Sequence, residues 1–154
     1  MYKSQWKGGE EMKHFIPTKI PLRKKFNLEL HKKFYGIAVE LGDRAEEVVE
    51  EAFQKAESEG TLPDWLYSYI HNTKYSEEDY KGLDFVFTTD VGPVFIQVKS
   101  SRFGKKKFER NHTSRHRIKI RIVIINVCDS LEHIYGQVMS EISLGRDEII
   151  ATRR

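Results

Sequence analysis

The 154-residue sequence predicts an α/β fold of the α+β kind, in which helices flank a mixed β-sheet. The prediction rests on segments whose hydrophobic patterns are clear. Residues 43–60 carry one apolar stripe at helical spacing, and residues 83–89 and 94–101 are strand-like segments joined by a turn. Residues 118–127 form a long run rich in β-branched residues that leads into another amphipathic helix.

Size and composition indicate one folded, intracellular domain. A hydrophobic fraction of 39% with a charged fraction of 32% excludes a disordered chain. Cys128 is the only cysteine, which excludes an intrachain disulfide and fits a reducing compartment. No segment approaches the ~20 apolar residues of a membrane span, so a cytoplasmic protein without a membrane partner is expected.

Pro17 and Pro21 disfavour a helix in residues 1–23, which are predicted to be an N-terminal arm. The remaining residues, 24–154, are predicted to form a single domain.

Two helices are predicted before the first strand. The first has its apolar positions at Phe26, Leu30, Phe34 and Ile37. Gly36 and Gly42 leave the end of this helix open. In the second helix, Asp43 is predicted to be the N-cap, with Glu46 three residues later as in a capping box. Gly60 is predicted to end it.

Two more helices are predicted on either side of the strands. Residues 61–80 are predicted to include a short packed helix, with an apolar face formed by Leu62, Trp65, Leu66, Tyr69 and Ile70. The last helix is predicted to begin at Asp129 and to end at Gly145. Residues 147–154 are then available for a short edge strand.

Three polar residues fall on one face of the predicted hairpin. Its loop, Asp90–Pro93, puts Asp84 opposite Lys99, whereas a slip of two residues would put Asp84 opposite Gln97. Because strand residues alternate between faces, both registers gather Asp84, Gln97 and Lys99 on one face. An acid, an amide and a lysine among apolar residues are costly unless they pair or bind a ligand. The alternatives are therefore a reactive centre or an Asp84–Lys99 ion pair at the sheet margin.

The hairpin sequence, GLDFVF followed by QVKSS, resembles the PD-(D/E)xK nuclease superfamily, whose fold is restriction-endonuclease-like. The resemblance covers about residues 42–140. Asp84 matches the metal-binding aspartate, Gln97 the second acidic position and Lys99 the lysine of that motif. Gly82 stands where the motif has proline, and the glutamine is similar to the Gln-x-Lys form of Mrr-like members.

A glutamate on the first core helix is a further feature of that superfamily. Its usual form is matched here by Gly42, Ala45, Glu46 and Val49. On a helical wheel, Glu46 lies about 100° from the centre of the apolar stripe. Glu47 and Glu50 point nearly opposite the stripe and are expected to face solvent. Glu46 is therefore a candidate site residue, the alternative being that it only caps the helix.

The resemblance implies a metal-dependent endonuclease that hydrolyses phosphodiester bonds, with DNA preferred to RNA. The implied catalytic residues are Glu46, Asp84, Gln97 and Lys99. Asp84, Gln97 and the backbone carbonyl of Val98 would bind Mg²⁺ or Mn²⁺, which prefer oxygen ligands. Lys99 would orient the attacking water or stabilise charge at the phosphate. A homodimer is also expected from the resemblance.

Positive charge is concentrated in residues 102–121, which hold nine Lys or Arg and one acid and so carry +8, leaving −5 on the rest of a chain of net charge +3. Such a segment suits a phosphate backbone, because bound cations release condensed counterions. The candidates for nucleic-acid contact are Arg102, Lys105, Lys106, Lys107, Arg110 and Arg115. The alternatives are a solvated basic segment without a partner, a nuclease-fold binding protein with weak catalysis, and a small structural domain.

Overall fold

The computed structural model of this chain describes residues 22–72, 83–112 and 118–154, with side chains from Leu28 onward. Its elements are α1 (Leu22–Ser58), β1 (Leu66–His71), β2 (Phe85–Thr89), β3 (Gly92–Lys99), α2 (Arg102–His112), β4 (Ile120–Ile124) and α3 (Leu131–Thr152). The prediction of an α+β fold with helices flanking a mixed sheet is confirmed. None of the helices in the described ranges is long and apolar enough to cross a membrane.

The four strands form one sheet in the order β1-β2-β3-β4. β1 and β2 pair antiparallel, as do β2 and β3, whereas β4 lies parallel to β3. A parallel neighbour requires a crossover connection, and α2 lies in that connection. The last residues of β3 are therefore followed directly by the basic helix.

The chain divides into two compact units, Met1–Phe34 and Tyr35–Arg154. Within the first unit the structure describes the helical residues from Leu22 onward. The predicted arm, residues 1–23, lies outside the described residues except for its last two positions, which begin α1. All four strands, α2 and α3 belong to the second unit.

The prediction of two helices before the first strand is wrong, because α1 is continuous from Leu22 to Ser58. Asp43 therefore lies inside the helix and is not its N-cap. A glycine costs a helix only about 1 kcal/mol relative to alanine, so Gly36 and Gly42 do not break it. The predicted end at Gly60 is confirmed: this residue has a φ of 66°, and the N–H of Thr61 donates to the carbonyl of Ala56 at 2.9 Å.

The helix predicted within residues 61–80 is wrong where the structure describes the segment, because Leu66–His71 form the edge strand β1. Three of the six side chains of LYSYIH, those of Tyr67, Tyr69 and Ile70, are aromatic or β-branched, types that favour a strand. Pairing with β2 satisfies their backbone groups, as Tyr69 lies opposite Phe87. Residues 73–80 lie outside the described residues.

The last helix is longer than predicted. It begins after Ser130, whose side chain accepts a hydrogen bond from the N–H of His133, so the predicted start at Asp129 is off by one residue. The helix continues to Thr152, so the predicted end at Gly145 and the edge strand of residues 147–154 are wrong. Gly145 serves packing instead: a Cβ there would lie 2.7 Å from Cγ1 of Val94 on β3.

Gly145→Ala is expected to lower the free energy of unfolding by about 1–2 kcal/mol, because overpacking costs more than the gain in helix propensity. Urea unfolding at equilibrium measures this loss. Gly136→Ala is the matched control on the same helix, since a Cβ there meets nothing within 4 Å, and it is expected to be neutral or slightly stabilising. A Gly145→Ala protein as stable as the parent would contradict the packing argument.

The main core lies on one face of the sheet. Phe85, Phe87 and Ile96 are fully buried there. Phe53 of α1 packs on Phe87 with ring centroids 4.9 Å apart, and α3 packs on Val94 through its close approach at residue 145. The residues that alternate with these on β2 and β3, among them Gln97 and Lys99, point to the other face.

Candidate active site

The hairpin adopts the second of the two predicted registers. Phe85 pairs with Ile96 and Thr89 with Gly92, so the register that put Asp84 opposite Lys99 is wrong by two residues. Continued by one residue, the observed pairing puts Asp84 opposite Gln97. The reason is the loop, which contains two residues instead of four and is followed by Gly92, the first residue of β3, at a φ of 131°.

Asp84 lies immediately before β2 and is buried, with 4% of its surface exposed. The N–H of Val98 donates to Asp84 Oδ2 at 2.6 Å. The Asp84 carbonyl accepts from the N–H of Asn72, just after β1, at 2.8 Å. Contacts to both neighbouring strands therefore fix the position of this carboxylate.

The pKa of Asp84 is raised to about 7, first by burial and then by the nearby negative charge of Glu46. The positive charge of Lys99 and the hydrogen bonds from Val98 and Gln97 oppose this rise. A carboxylate with such a pKa is unfavourable in its ionised form unless a cation is added. Burial and a second acid at one point are typical of functional sites.

Gln97 lies beside this carboxylate and is also buried, with 4% of its surface exposed. Its side chain forms a hydrogen bond with Asp84. A carboxylate is an acceptor only, so the amide nitrogen is the donor and the amide oxygen points elsewhere. That oxygen, Oε1, is buried and has no hydrogen-bond partner in the described part of the structure. A buried acceptor without a donor costs about 1–3 kcal/mol, and a bound cation or hydrogen-bond donor would remove this cost.

Lys99 lies near Asp84 without pairing with it. Its Nζ sits 5.2 Å from the ring centroid of Phe108 on α2. Among the described residues, no direct Asp84–Lys99 ion pair is formed, which removes the structural alternative for this pair. The ammonium group is therefore held by an aromatic ring and retains its hydrogen-bond donors for a ligand.

Glu46 of α1 reaches this cluster, as predicted from the helical wheel. Its charge raises the pKa of Asp84, and Nε2 of His71 lies 3.3 Å from Glu46 Oε2. The prediction that Glu50 faces solvent is wrong, because His71 Nδ1 lies 2.9 Å from Glu50 Oε2. Glu50 follows Glu46 by four residues and so lies only about 40° further round the helix.

His71 is the site residue that the sequence did not reveal. It ends β1, and its ring stacks on Phe85 with centroids 4.4 Å apart and planes inclined by 10°. The hydrogen bond to Glu46 and that to Glu50 raise the pKa of His71 to about 9, against the opposing effect of burial. His71 is therefore protonated at neutral pH and donates to both glutamates. The sequence gives no signal for His71, because this residue follows a segment predicted to be helical and nothing in the sequence places it beside an acid.

Residues 102–112 of the basic segment fold as α2, capped by Ser101, whose hydroxyl accepts from the N–H of Gly104 at 3.1 Å. None of the residues of α2 is buried. Lys105 lies 3.9 Å from Glu109. The other four predicted nucleic-acid residues on this helix, which have no acidic partner among the described residues, are Arg102, Lys106, Lys107 and Arg110. Arg115 lies outside the described residues.

Most basic side chains elsewhere in the described part of the second unit differ from those of α2 because they are paired with acids, although Arg153 donates instead to the carbonyl of Val91. The ion-paired ones are Arg44, Lys55, Lys119, Arg121 and Arg146. Uncompensated positive charge in the described residues is thus concentrated on the helix that follows Lys99.

Comparison of the chain with known protein families, curated proteins and solved structures found no match.

The backbone of β3 adds another oxygen to the site. The Lys99 carbonyl accepts from the N–H of Ile125, at the β4 side of the strand, at 2.8 Å. Because successive residues of a strand present their backbone groups to opposite neighbours, the carbonyl and N–H of Val98 face the β2 side. The Val98 N–H bonds Asp84 there, so its carbonyl lies on the side of the strand that faces the acid.

These donors fit a hard divalent cation. In the described ranges, no three His, Cys, Asp or Glu side chains form a group that could hold a metal. The available set is the carboxylates of Asp84 and Glu46, the partnerless Oε1 of Gln97 and the Val98 carbonyl. Mg²⁺ and Mn²⁺ accept such mixed oxygen donors and complete their shells with water.

Proposed function

We propose that this protein is a Mg²⁺- or Mn²⁺-dependent endonuclease that hydrolyses phosphodiester bonds, preferentially in DNA. The observation that carries the proposal is the buried Asp84 carboxylate beside Oε1 of Gln97, which has no hydrogen-bond partner among the described residues. A cation between these oxygens would stabilise the ionised form of Asp84 and would give the amide oxygen of Gln97 a partner. The proposal includes the PD-(D/E)xK assignment, a cytoplasmic location and a homodimer.

Each residue has a role in this hydrolysis. Asp84, Gln97 and the Val98 carbonyl would hold the cation, which would supply positive charge against the phosphate and make a nearby water more acidic. Lys99 donates hydrogen bonds to the phosphate oxygens as negative charge develops there. Glu46 accepts a hydrogen bond from the attacking water and so directs a lone pair of that water at phosphorus. As the new bond from this oxygen to phosphorus forms, the water gives up a proton to solvent. The bond from phosphorus to the leaving oxygen breaks, and that oxygen takes up a proton from solvent.

The backbone of the substrate is bound by α2. Lys99 packs against this helix, since a Cβ added at Gly104 would lie 3.5 Å from Lys99 Cδ. The cations of α2 that have no acidic partner among the described residues are therefore on the helix that contacts the catalytic lysine. Phosphates on either side of the cleaved bond would meet positive charge without displacing an acidic side chain.

A cleavage assay tests the proposal. The purified protein is incubated with Mg²⁺ or Mn²⁺ and labelled duplex, single-stranded and branched DNA and RNA. We expect cleavage that EDTA abolishes and that Lys99→Ala reduces at least about 100-fold, because a charge that stabilises the transition state is lost. Lys119→Ala is the matched control, since that lysine is paired with Glu148 at 2.8 Å, and it should cleave like the parent. Cleavage that survives in Lys99→Ala would contradict the assigned site.

A second candidate function is nucleic-acid binding with little or no catalysis. It is favoured by Gln97, which supplies no negative charge where most superfamily members have an acid, and by His71, which neutralises Glu46. Binding that weakens with salt, with no metal-dependent cleavage of any substrate in the panel, would select this function.

A further inference from the structure

Phe103 is the most exposed large apolar side chain in the described residues, at 74%. It makes no aromatic or cation–π contact within those residues. The other phenylalanine of α2, Phe108, contacts Lys99 on one side and stacks on His112 with centroids 4.2 Å apart on the other. Packing therefore accounts for one of the two rings and not for the other.

The position of Phe103 on α2 is specific. Arg102, Lys106 and Arg110 follow one another at intervals of four and form a stripe along one side of the helix. Phe103 lies on this side, with Lys106 and Lys107 one turn further along. A free aromatic ring is thus surrounded by cations that have no acidic partner in the described ranges.

We infer that Phe103 stacks on an unpaired base, and that the substrate class of this site is nucleic acid with single-stranded bases. The inference rests on the proposed function, because it assigns a specificity residue to the same site. A duplex presents its phosphates to such a helix but keeps its bases stacked inside. A single strand offers both groups, and sites that bind single strands combine a cationic groove with an aromatic platform.

The location of Phe103 relative to Lys99 supports this assignment. The residue after Phe103, Gly104, is the position against which the Lys99 side chain lies. A base held on the ring therefore belongs to the stretch of strand that passes the candidate catalytic lysine. The cations of the stripe would bind the phosphates on either side of that base.

Fluorescence anisotropy in EDTA tests the inference without requiring cleavage. The full chain is titrated with a labelled oligothymidine strand and with a labelled blunt duplex of equal length. We expect Phe103→Leu to weaken binding of the single strand about tenfold and binding of the duplex less than about twofold, because only base stacking is lost. Phe103→Tyr should restore single-strand binding, since it restores the ring.

Two control variants separate stacking from charge and from general exposure. Lys106→Ala should weaken binding of both nucleic acids by similar factors, as expected for a phosphate contact. Tyr67→Ala removes an aromatic side chain that is 66% exposed on the opposite edge strand, β1, and should change neither affinity.

An equal loss on both nucleic acids, or no loss on the single strand, in Phe103→Leu would overturn the inference. The outcome is independent of the nuclease proposal. Selective loss in a protein that does not cleave would leave the stacking role in place and remove the proposed activity. If the parent cleaves in a metal-dependent way but Phe103→Leu does not selectively lose binding of the single strand, the proposed activity stands and the stacking role is removed.

Discussion

Asp84→Asn is expected to abolish metal-dependent cleavage and, at the same time, to raise the free energy of unfolding above about pH 7 by on the order of 2–4 kcal/mol. Burial and the charge of Glu46 make the ionised carboxylate costly in the folded protein. Asparagine removes that charge and keeps an oxygen to accept the Val98 N–H. Its amide N–H can also donate to the Gln97 side chain once that amide turns over.

The gain in stability depends on pH in a defined direction. The pKa of Asp84 is about 7 in the folded protein and near 3.8 in an unfolded chain. Between these values the folded state binds the extra proton, so the stability of the parent falls as the pH rises from about 4 to about 7. Asp84→Asn has no such fall. Its advantage over the parent should be small near pH 4, grow through this window and stay constant above it.

Chemical denaturation across this pH range measures the difference between the two proteins. Asp90→Asn is the matched control, because its contact with Arg146 at 2.7 Å lowers the pKa of Asp90. That substitution should destabilise the protein, with the loss appearing as the pH rises. A lower stability of Asp84→Asn at pH 8 would mean that the carboxylate is a structural group and not one poised for a cation. Added Mg²⁺ should stabilise the parent and leave Asp84→Asn unchanged, because ligand binding stabilises only a protein that retains the site.

The central residues of the site were predictable because strand alternation does not depend on details of the loop. The two predicted registers differ by two residues, and Asp84, Gln97 and Lys99 share a face in both of them. The error in the loop length therefore had no effect on the predicted site residues. Glu46 was predictable for a similar reason, since its angle from the apolar stripe is fixed by 3.6 residues per turn. Both predictions use local geometry that tertiary packing preserves.

The histidine of the site was not predictable because its position depends on which strand pairs with β2. The spacing of apolar residues in residues 61–71 fits a helix as well as a strand, and short segments are ambiguous in this way. Only the pairing of β1 with β2 brings His71 beside α1. Glu50 was missed for the same reason, because a glutamate outside the apolar stripe faces solvent unless another element covers it.

Glycines misled the prediction of helix ends. Gly42 and Gly145 each lie inside a helix, whereas Gly60 ends one with a positive φ. A glycine that ends a helix and one that allows close packing have the same sequence signature. The distinction requires the neighbouring element, which for Gly145 is Val94 of β3.

His71→Phe is expected to lower the free energy of unfolding by about 2 kcal/mol near pH 6, after allowance for solvent screening of Glu50. Phenylalanine preserves the ring that stacks on Phe85 but removes both hydrogen bonds to the glutamates. The carboxylates of Glu46 and Glu50 are then left without the cation that both contact, and Glu46 is also close enough to Asp84 to raise its pKa. Urea unfolding of the parent and the variant measures the loss.

The pH dependence of this loss is opposite to that of the gain at Asp84. The folded pKa of His71 is raised to about 9 from an ordinary value of 6.5. Its stabilising effect is therefore fully present below about pH 6.5 and lost as the pH rises to about 9. The difference between the parent and His71→Phe should shrink over that window. His133→Phe is the same substitution at a histidine with 60% of its side chain exposed, and it should change the stability little. A difference that stays constant from pH 6 to pH 9 would show that packing, and not the charge shared with Glu46 and Glu50, accounts for the role of His71.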